Sequence, residues 1–346
     1  MMKIAIVGAG ALGSLFACLL RESGQDVVLV DRNRKTIRTI RSKGIWLVDP
    51  TGVERNIRVP IMLSPRLEGP IDIVLLFVKT YDTRAAVNCT NHVVGPKTYV
   101  GSFQNGVGNM EVIAETVPEN RVFCGSLPYS SMQLADNRIR FSGGSGVLRL
   151  AKFDNVSDPD FLEIAAVFKQ TGFPVEVAKD SQAALWNKLL MNAAANPLSA
   201  ITGLSCREML DDQHLQEIMS LAVKEVAAVA TAKGVAIDEA NDPVRPLFRA
   251  LQGIGENKTT MLQDVERHGK TEIESINGAV IREADRLGLS VPVNRLLFHL
   301  VQSLERRTLM NQAAHASARE ATGGARFPIS ALHTSRTPGV DIDAKS

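Results

Sequence analysis

The sequence predicts an α/β protein in which an N-terminal doubly wound parallel sheet precedes an all-α domain. The chain opens on an apolar strand and a glycine-rich loop, short apolar runs alternate with amphipathic stretches through the first half, and long helical patterns follow residue 181. A chain of 346 residues is also too long for one comfortable core. We therefore expect a sheet domain over residues 1–179, a helical domain over 180–312 and a flexible tail over 313–346.

The first strand, Lys3–Val7, leads into the loop Gly8-Ala9-Gly10-Ala11-Leu12-Gly13 and then into an apolar helix. In a Rossmann-type arrangement the first glycine allows the tight turn, the second lets the backbone approach a pyrophosphate, and the third lets the helix pack on the strand. The N–H groups and dipole of the helix N-terminus favour a diphosphate. The loop therefore predicts a dinucleotide site formed by Gly8, Gly10, Ala11, Leu12 and Gly13.

The second strand, at 27–30, ends in Asp31 and Arg32, where such a fold meets the adenosine ribose. An acid at this point binds the ribose 2′-OH of NAD, whereas an arginine accommodates the 2′-phosphate of NADP. The sequence favours NADPH through Arg32, whose guanidinium can bind a phosphate bidentately. NADH stays open as the alternative through Asp31.

The other predicted elements complete the sheet and build the helical half. Apolar runs predict buried parallel strands at 71–77, 99–103 and 121–125. Turn-rich segments predict two hairpins, 46–48 with 56–59 and 138–141 with 147–150. Helical periodicity predicts helices at 182–195, 213–233, 246–267, 271–287 and 292–309, and none from residue 311 onwards.

The composition is that of an ordinary globular protein and excludes several classes of function. Hydrophobic residues make up 45% and charged residues 22%, and the net charge of +2 predicts neither a nucleic-acid partner nor a membrane surface. No apolar stretch approaches a membrane span, and the chain starts on a strand, so we expect a cytoplasmic protein without a signal peptide. The four scattered cysteines argue against a zinc site or a disulfide framework, and we predict no metal site.

A candidate site in the helical half is the polar stripe formed by Lys188, Asn192 and Asn196. Residues four apart share one helix face. A lysine and two carboxamides are costly to bury unless polar groups lie opposite, and a surface stripe would seldom use asparagine, which forms helices poorly. Because a carbonyl that accepts hydride needs a proton donor at its oxygen, we predict that Lys188 faces a substrate pocket.

Three more candidates lie near predicted element ends. Lys79 follows one buried strand and Asn105 another, at the edge where open α/β sheets bind ligands. The lysine indicates a ligand contact, whereas Asn105 precedes a glycine and is typical of a turn. Thr271 and Glu274 have the spacing of a capping box, which predicts a helix start with Glu272 in its first turn. Glu272 is then either a residue of the active site or a carboxylate that stabilises the helix by interacting with its dipole.

Together these residues resemble the ketopantoate reductase (2-dehydropantoate 2-reductase) family, from Gly8 to about Leu309. Each motif alone is weak, whereas the set is specific. The motifs that carry the resemblance are GAGALG at residues 8–13, Phe77-Val78-Lys79, Gln104-Asn105-Gly106, Trp186-Asn187-Lys188 with Asn192 and Asn196-Pro197, Thr260-Met261-Leu262-Gln263-Asp264, Thr271-Glu272-Ile273 and Ile276-Asn277-Gly278.

The resemblance implies reduction of 2-dehydropantoate to pantoate in pantothenate biosynthesis, with NADPH as hydride donor. Of the implied catalytic residues, Lys188 is the general acid that protonates the ketone oxygen and Glu272 holds and tunes it. Arg32 matches the family's position for the NADPH 2′-phosphate. The other implied contacts are Lys79 and Asn105 for nicotinamide and substrate, and Asn192, Asn196, Asn257 and Thr260 for the carboxylate and hydroxyl of the substrate.

Two departures keep alternatives open. Thr260 stands where the family usually has serine, and its extra methyl narrows the pocket, which could favour another 2-oxo acid. The stretch 126–151 matches the family pattern poorly. The alternatives are a reductase of another 2-oxo acid in the wider hydroxyacid and opine dehydrogenase group, and a non-catalytic NADPH-sensing protein. The sequence leaves the oligomeric state open, a homodimer included.

Overall fold

The computed structural model describes residues 1–127, 129–144 and 146–323. Residues Met1–Glu305 form one compact unit. Its buried apolar side chains gather on both faces of a large sheet and, separately, among the helices of the second half. This confirms the predicted fold class. The predicted boundary between residues 179 and 180 falls inside this unit and stays a prediction.

The strands form two sheets, and the larger one carries the glycine loop. In chain order the described strands are β1 (Lys3–Val7), β2 (Asp26–Val30), β3 (Ile45–Val48), β4 (Glu54–Ile57), β5 (Ile61–Met62), β6 (Ile73–Leu76), β7 (Tyr99–Ser102), β8 (Val122–Ser126), β9 (Tyr129–Ala135), β10 (Arg138–Gly144), β11 (Leu148–Lys152) and β12 (Val175–Val177).

The large sheet has the order β12-β11-β8-β7-β6-β1-β2-β5. The strands from β5 to β8 are parallel, and β11 pairs antiparallel with β8. After β1 the chain adds strands first on one side and then, from β6, on the other. Ligands of open α/β sheets bind at the carboxyl ends of strands beside such a switch point, and the glycine loop lies there because it follows β1.

The small sheet, of order β4-β3-β10-β9, confirms one predicted hairpin and corrects the other. Strands β3 and β4 pair antiparallel as expected. The second hairpin is wrong, because β10 pairs with β9 and β3 whereas β11 joins the large sheet. The physical reason is burial: Leu148 and Leu150 of β11 are fully buried in the core of the large sheet.

The helices of the described residues cover the sheet and build the second half. No helix among them is both long enough and apolar enough to cross a membrane. In chain order they are α1 (Ala11–Glu22), α2 (Arg34–Lys43), α3 (Thr83–Thr90), α4 (Asn109–Ala114), α5 (Pro159–Lys169), α6 (Ser181–Thr202), α7 (Cys206–Asp211), α8 (Gln213–Ala232), α9 (Val244–Ile254), α10 (Thr260–Glu266), α11 (Asn277–Leu287) and α12 (Pro292–Gly323).

Helix α6 is longer than predicted because it continues through Pro197. A proline inside a helix leaves the carbonyl four residues earlier without its usual donor. In this chain the side-chain Nδ2 of Asn277 donates to the carbonyl of Ala193 at 2.8 Å. Asn277 is fully buried and thereby stabilises the helix that carries Lys188, Asn192 and Asn196.

Two predicted helix boundaries in the second half are wrong. The single helix at 246–267 is divided into α9 and α10, because Gly255 (φ +62°) ends α9 and Thr259 caps the start of α10. The predicted capping box at Thr271 is absent, since the Thr271 hydroxyl accepts from the N–H of Ile273 and not from that of Glu274. Helix α11 therefore starts only at Asn277, and Glu272 lies in a turn segment before it.

The last helix also differs from the prediction. Helix α12 ends at Gly323, so residues 313–323 are helical, where the sequence predicted no helix. This stretch lacks an apolar period but is rich in alanine, which favours helix through intrinsic propensity alone. The rest of the predicted tail, residues 324–346, lies outside the described residues. The flexibility of the tail stays a prediction.

Candidate active site

The glycine loop has the geometry that a diphosphate requires. Gly8 has a φ of +105°, and a Cβ on Gly13 would lie 2.0 Å from the carbonyl oxygen of Gly8. At Gly10, by contrast, a Cβ would meet no atom of the described chain within 4 Å. Gly10 is also the N-cap residue of α1, and no side chain caps the helix there. The loop therefore leaves open space at unpaired helix N–H groups, which fits a dinucleotide.

One cavity of about 380 Å³ brings most of the predicted site residues together. It lies between the carboxyl ends of the parallel strands and the helices of the second half. Gly8, Gly13 and Arg32 do not line it. The predicted residues that do are Gly10, Ala11, Leu12, Lys79, Asn105, Lys188, Asn192, Asn196, Asn257, Thr260 and Glu272.

Lys79 is held by two carboxylates from the second half of the chain. Its Nζ lies 2.5 Å from Oδ2 of Asp264 and 3.5 Å from Oε2 of Glu272. Burial by itself lowers the pKa of Lys79, but the two carboxylates outweigh it and raise the pKa above its ordinary value. Lys79 is therefore charged, and its ion pairs join the sheet to the helices.

Glu272 connects three groups at the strand ends. Besides Lys79, its carboxylate accepts from the backbone N–H of Thr80 at 3.1 Å and from Nδ2 of Asn105 at 3.2 Å. Only 6% of Glu272 is exposed. Within the described chain no hydrogen bond or ion pair joins Glu272 to Lys188, so direct holding of that lysine, which the resemblance implies, is not present here. The negative charge of Glu272 instead raises the pKa of Lys188, against the larger effect of burial.

Lys188 differs from Lys79 because, in the described chain, its ammonium has no hydrogen-bond partner. Burial lowers the pKa of Lys188, and the charge of Glu272 opposes that effect only in part. One helical turn further, the buried Nδ2 of Asn192 also has no partner. A buried donor without an acceptor, such as this amide nitrogen, is rare in proteins. These two groups are available to an acceptor on a ligand, as a carbonyl or carboxylate would provide.

Several cavity residues were not predicted. Ser131 of β9 and Ser142 of β10 have buried hydroxyls that lack a partner among the described residues, and Gln133 lies beside them. These strands fall in the stretch 126–151, which we expected to match the family pattern poorly. The sequence places Asp264 in a family motif but does not predict its role, because its partner Lys79 is 185 residues away in sequence. No local pattern reports such a pair.

Asp31 and Arg32, which gave conflicting cofactor predictions, have different surroundings. Oδ2 of Asp31 accepts from the N–H of Ala9 at 2.8 Å and Oδ1 accepts from the N–H of Asn33 at 2.7 Å. Asp31 therefore braces the glycine loop. The guanidinium of Arg32 is exposed and pairs with the carboxylate of Asp82.

The loop after β7 packs directly on the segment that carries Glu272. Gly106 has a φ of +75°, and a Cβ there would lie 2.2 Å from the carbonyl oxygen of Ser275. The same carbonyl accepts from the N–H of Val107 at 3.1 Å. This close approach positions the adjacent Asn105 within reach of Glu272.

We expect Gly106→Ala to lower the thermal melting temperature and activity more than Gly108→Ala. Both positions have positive φ, so both variants bear a backbone strain of about 1–2 kcal/mol. Only at Gly106 does the new methyl also collide with backbone, because a Cβ at Gly108 has no atom of the described chain within 4 Å. Calorimetry and turnover of the two variants measure the difference. Equal losses would show that the contact with Ser275 does not matter.

In hydride-transfer enzymes that use a nicotinamide dinucleotide, the glycine loop and the acid–base groups meet in one cleft, and this chain falls in that class of oxidoreductases. The family model described as "Ketopantoate reductase PanE/ApbA" matches residues 4–155, and that described as "Ketopantoate reductase PanE/ApbA C terminal" matches residues 180–305. The chain belongs to the ketopantoate reductase family.

Individual relatives agree with this membership over nearly their whole length. The 2-dehydropantoate 2-reductase of Pyrococcus abyssi is 31% identical, with 88% of this chain and 98% of the relative covered. The 2-dehydropantoate 2-reductase of Halobacterium salinarum is 28% identical, with 88% of this chain and 99% of the relative covered. The crystal structure of 2-dehydropantoate 2-reductase from Geobacter metallireducens superposes with a TM-score of 0.81 at 28% identity, covering 87% and 99%.

A D-mandelate dehydrogenase structure with NADH and anilino(oxo)acetate has the same fold. It superposes with a TM-score of 0.84 over 89% of this chain and 99% of its own, at 24% identity. At that identity the likeness concerns the fold alone.

Proposed function

We propose that this protein reduces 2-dehydropantoate to pantoate in pantothenate biosynthesis, with hydride from NADPH and with Lys188 as the general acid. The observation that carries the proposal is the ammonium of Lys188, which has no hydrogen-bond partner among the described residues. It shares one cavity with the glycine loop and with Asn192, whose buried amide nitrogen also lacks a described partner. The family and its members named 2-dehydropantoate 2-reductase support this substrate. The four free cysteine thiols fit a reducing compartment, and we assign the reaction to the cytoplasm.

The proton path follows from the two lysines. The bound nicotinamide supplies the hydride. Lys188 Nζ donates a hydrogen bond to the ketone oxygen, stabilises the negative charge that develops there and then transfers its proton to form the hydroxyl. Lys79 does not compete for this role, because Asp264 and Glu272 engage it. Glu272 favours the charged form of Lys188, which burial disfavours.

The other cavity residues divide between cofactor and substrate. The backbone at Gly10, Ala11 and Leu12 fits the diphosphate, and Lys79 and Asn105 adjoin the nicotinamide and substrate. The groups that we assign to the substrate carboxylate and hydroxyl are the side chains of Asn192, Asn196, Asn257 and Thr260. Amide and hydroxyl donors of this kind fix orientation without adding charge.

The second candidate function is reduction of a different 2-oxo acid. Thr260 lines the cavity, and its methyl occupies space that serine would leave open. A narrower pocket would discriminate against the branched carbon of 2-dehydropantoate, since one methyl is worth about 10–200-fold in a fitted site.

The test is a panel of 2-oxo acids with NADPH and NADH, followed through the nicotinamide absorbance. We expect the highest kcat/KM for 2-dehydropantoate with NADPH, compared with pyruvate and branched 2-oxo acids. Equal or better rates on another acid would favour the second candidate. Nucleotide binding without oxidation by any acid would instead indicate a sensing protein.

We expect Arg32→Ala to weaken NADPH binding by about 10–100-fold and NADH binding far less, because a charge-assisted bidentate contact to the 2′-phosphate is lost. Fluorescence titration of both nucleotides measures this. Arg34→Ala is the matched control, since Arg34 is an exposed arginine at the start of α2. An equal loss for both nucleotides in Arg32→Ala would point to Asp31 and NADH.

A further inference from the structure

The guanidinium of Arg32 already binds a carboxylate in the geometry that a phosphate would take. Nη1 donates to Oδ1 of Asp82 at 3.1 Å and Nη2 donates to Oδ2 at 2.9 Å. This fork is the arrangement by which arginine binds carboxylates and phosphates. The Arg32 side chain is 81% exposed and that of Asp82 is 24% exposed. The pair is therefore open to a ligand.

The neighbouring acid, Asp31, forms hydrogen bonds with the backbone and does not pair with Arg32. Its two oxygens bind the backbone N–H groups of Ala9 and Asn33, which fixes the carboxylate between the glycine loop and the start of α2. Among the described residues, Asp82 is the acid that pairs with Arg32, although the two are 50 residues apart in sequence.

Asp82 is held in place by the short turn that begins at Lys79. Its N–H donates to the carbonyl of Lys79 at 2.8 Å, and Thr80 in the same turn donates to Glu272. One turn thus presents Lys79 toward the helical half and Asp82 toward Arg32. The position of Asp82 is set by the fold and not by Arg32 alone.

We propose that Asp82 sets how strongly the protein prefers NADPH over NADH, because its carboxylate competes with the ribose 2′-phosphate for Arg32. This inference rests on the proposed function, since it presupposes nicotinamide dinucleotide binding. A phosphate at Arg32 lies beside a fixed negative charge that opposes it. The 2′-hydroxyl of NADH carries no charge and can donate to Asp82, as to the acid of NAD-binding sites. Exposed ion pairs are weak, so a phosphate can still displace Asp82.

The test compares binding of 2′,5′-ADP and 5′-ADP to the full chain, which isolates the 2′-phosphate from hydride transfer. We expect Asp82→Asn to tighten 2′,5′-ADP and NADPH by about threefold to tenfold and to leave 5′-ADP unchanged or weaker. The matched control is Glu115→Gln, which removes a carboxylate from another exposed pair, with Arg84, outside the cavity. This control should leave the dissociation constants of both 2′,5′-ADP and 5′-ADP unchanged.

The outcomes separate this proposal from the proposed function. An unchanged ratio of the two dissociation constants in Asp82→Asn, with melting as in the wild type, would overturn the role of Asp82. Asp82→Ser repeats the test with a smaller side chain, in case asparagine keeps a hydrogen bond to Arg32. If the wild type binds neither NADPH nor NADH, the proposed function itself fails.

Discussion

Replacing Lys188 by alanine is expected to lower kcat by about 10²-fold or more, while the nucleotide dissociation constant stays near that of the wild type. The alanine removes the proton donor at the ketone oxygen, and the other lysines that line the cavity in the described chain, Lys79 and Lys258, are both paired with carboxylates. Steady-state rates with saturating nucleotide and substrate measure the loss, and fluorescence titration measures nucleotide binding.

Lys224→Ala is the matched control for this variant. It removes an exposed lysine from a long helix of the same half, outside the cavity, and should keep wild-type rates. Turnover of Lys188→Ala within a few-fold of the wild type would refute the assignment of Lys188 as the acid.

Replacing Glu272 by glutamine is expected to lower kcat about tenfold or more and to move the basic limb of the pH profile to lower pH. The sign follows from the charges. Lys188 must be protonated to act, and its pKa, already lowered by burial, is held up by the Glu272 carboxylate. Without that carboxylate the ammonium loses its proton at a lower pH, so activity declines earlier as the pH rises. The logarithm of kcat/KM against pH measures the limb.

Glu274→Gln controls for the same change of charge two residues along the chain. Glu274 is exposed and pairs with Arg282, so this variant should keep both rate and pH limb. A Glu272→Gln variant that is slower but has an unmoved basic limb would mean that Glu272 only positions Asn105 and Lys79. It would then have no influence on the proton of Lys188.

The sequence predicts those features of the site that depend on residues close together along the chain. The glycine loop is defined by six consecutive residues, and the stripe of Lys188, Asn192 and Asn196 follows from helical periodicity alone. The pair of Lys79 with Asp264 could not be predicted, since two residues 185 positions apart meet only through the fold. The pairing of Arg32 with Asp82 was missed for the same reason.

Predictions from local sequence rules failed at two places, once because a distant group intervened and once because a different local hydrogen bond formed. Helix α6 passes Pro197 because Asn277 satisfies the carbonyl of Ala193. The spacing of Thr271 and Glu274 fitted a capping box, but the Thr271 hydroxyl bonds Ile273 instead. That difference matters for the site, because it leaves Glu272 in a turn from which its carboxylate reaches Thr80 and Asn105.

The small sheet contacts both the helix that follows the glycine loop and the cavity. Strands β9 and β10 pack against α1, the helix that follows the glycine loop, so a substitution at a buried position of either strand also disturbs the support of that loop. The same two strands contribute three side chains to the cavity lining, those of Ser131, Gln133 and Ser142. A change of cavity shape made on these two strands is therefore expected to alter nucleotide binding as well as substrate choice, unless it leaves the contact with α1 intact.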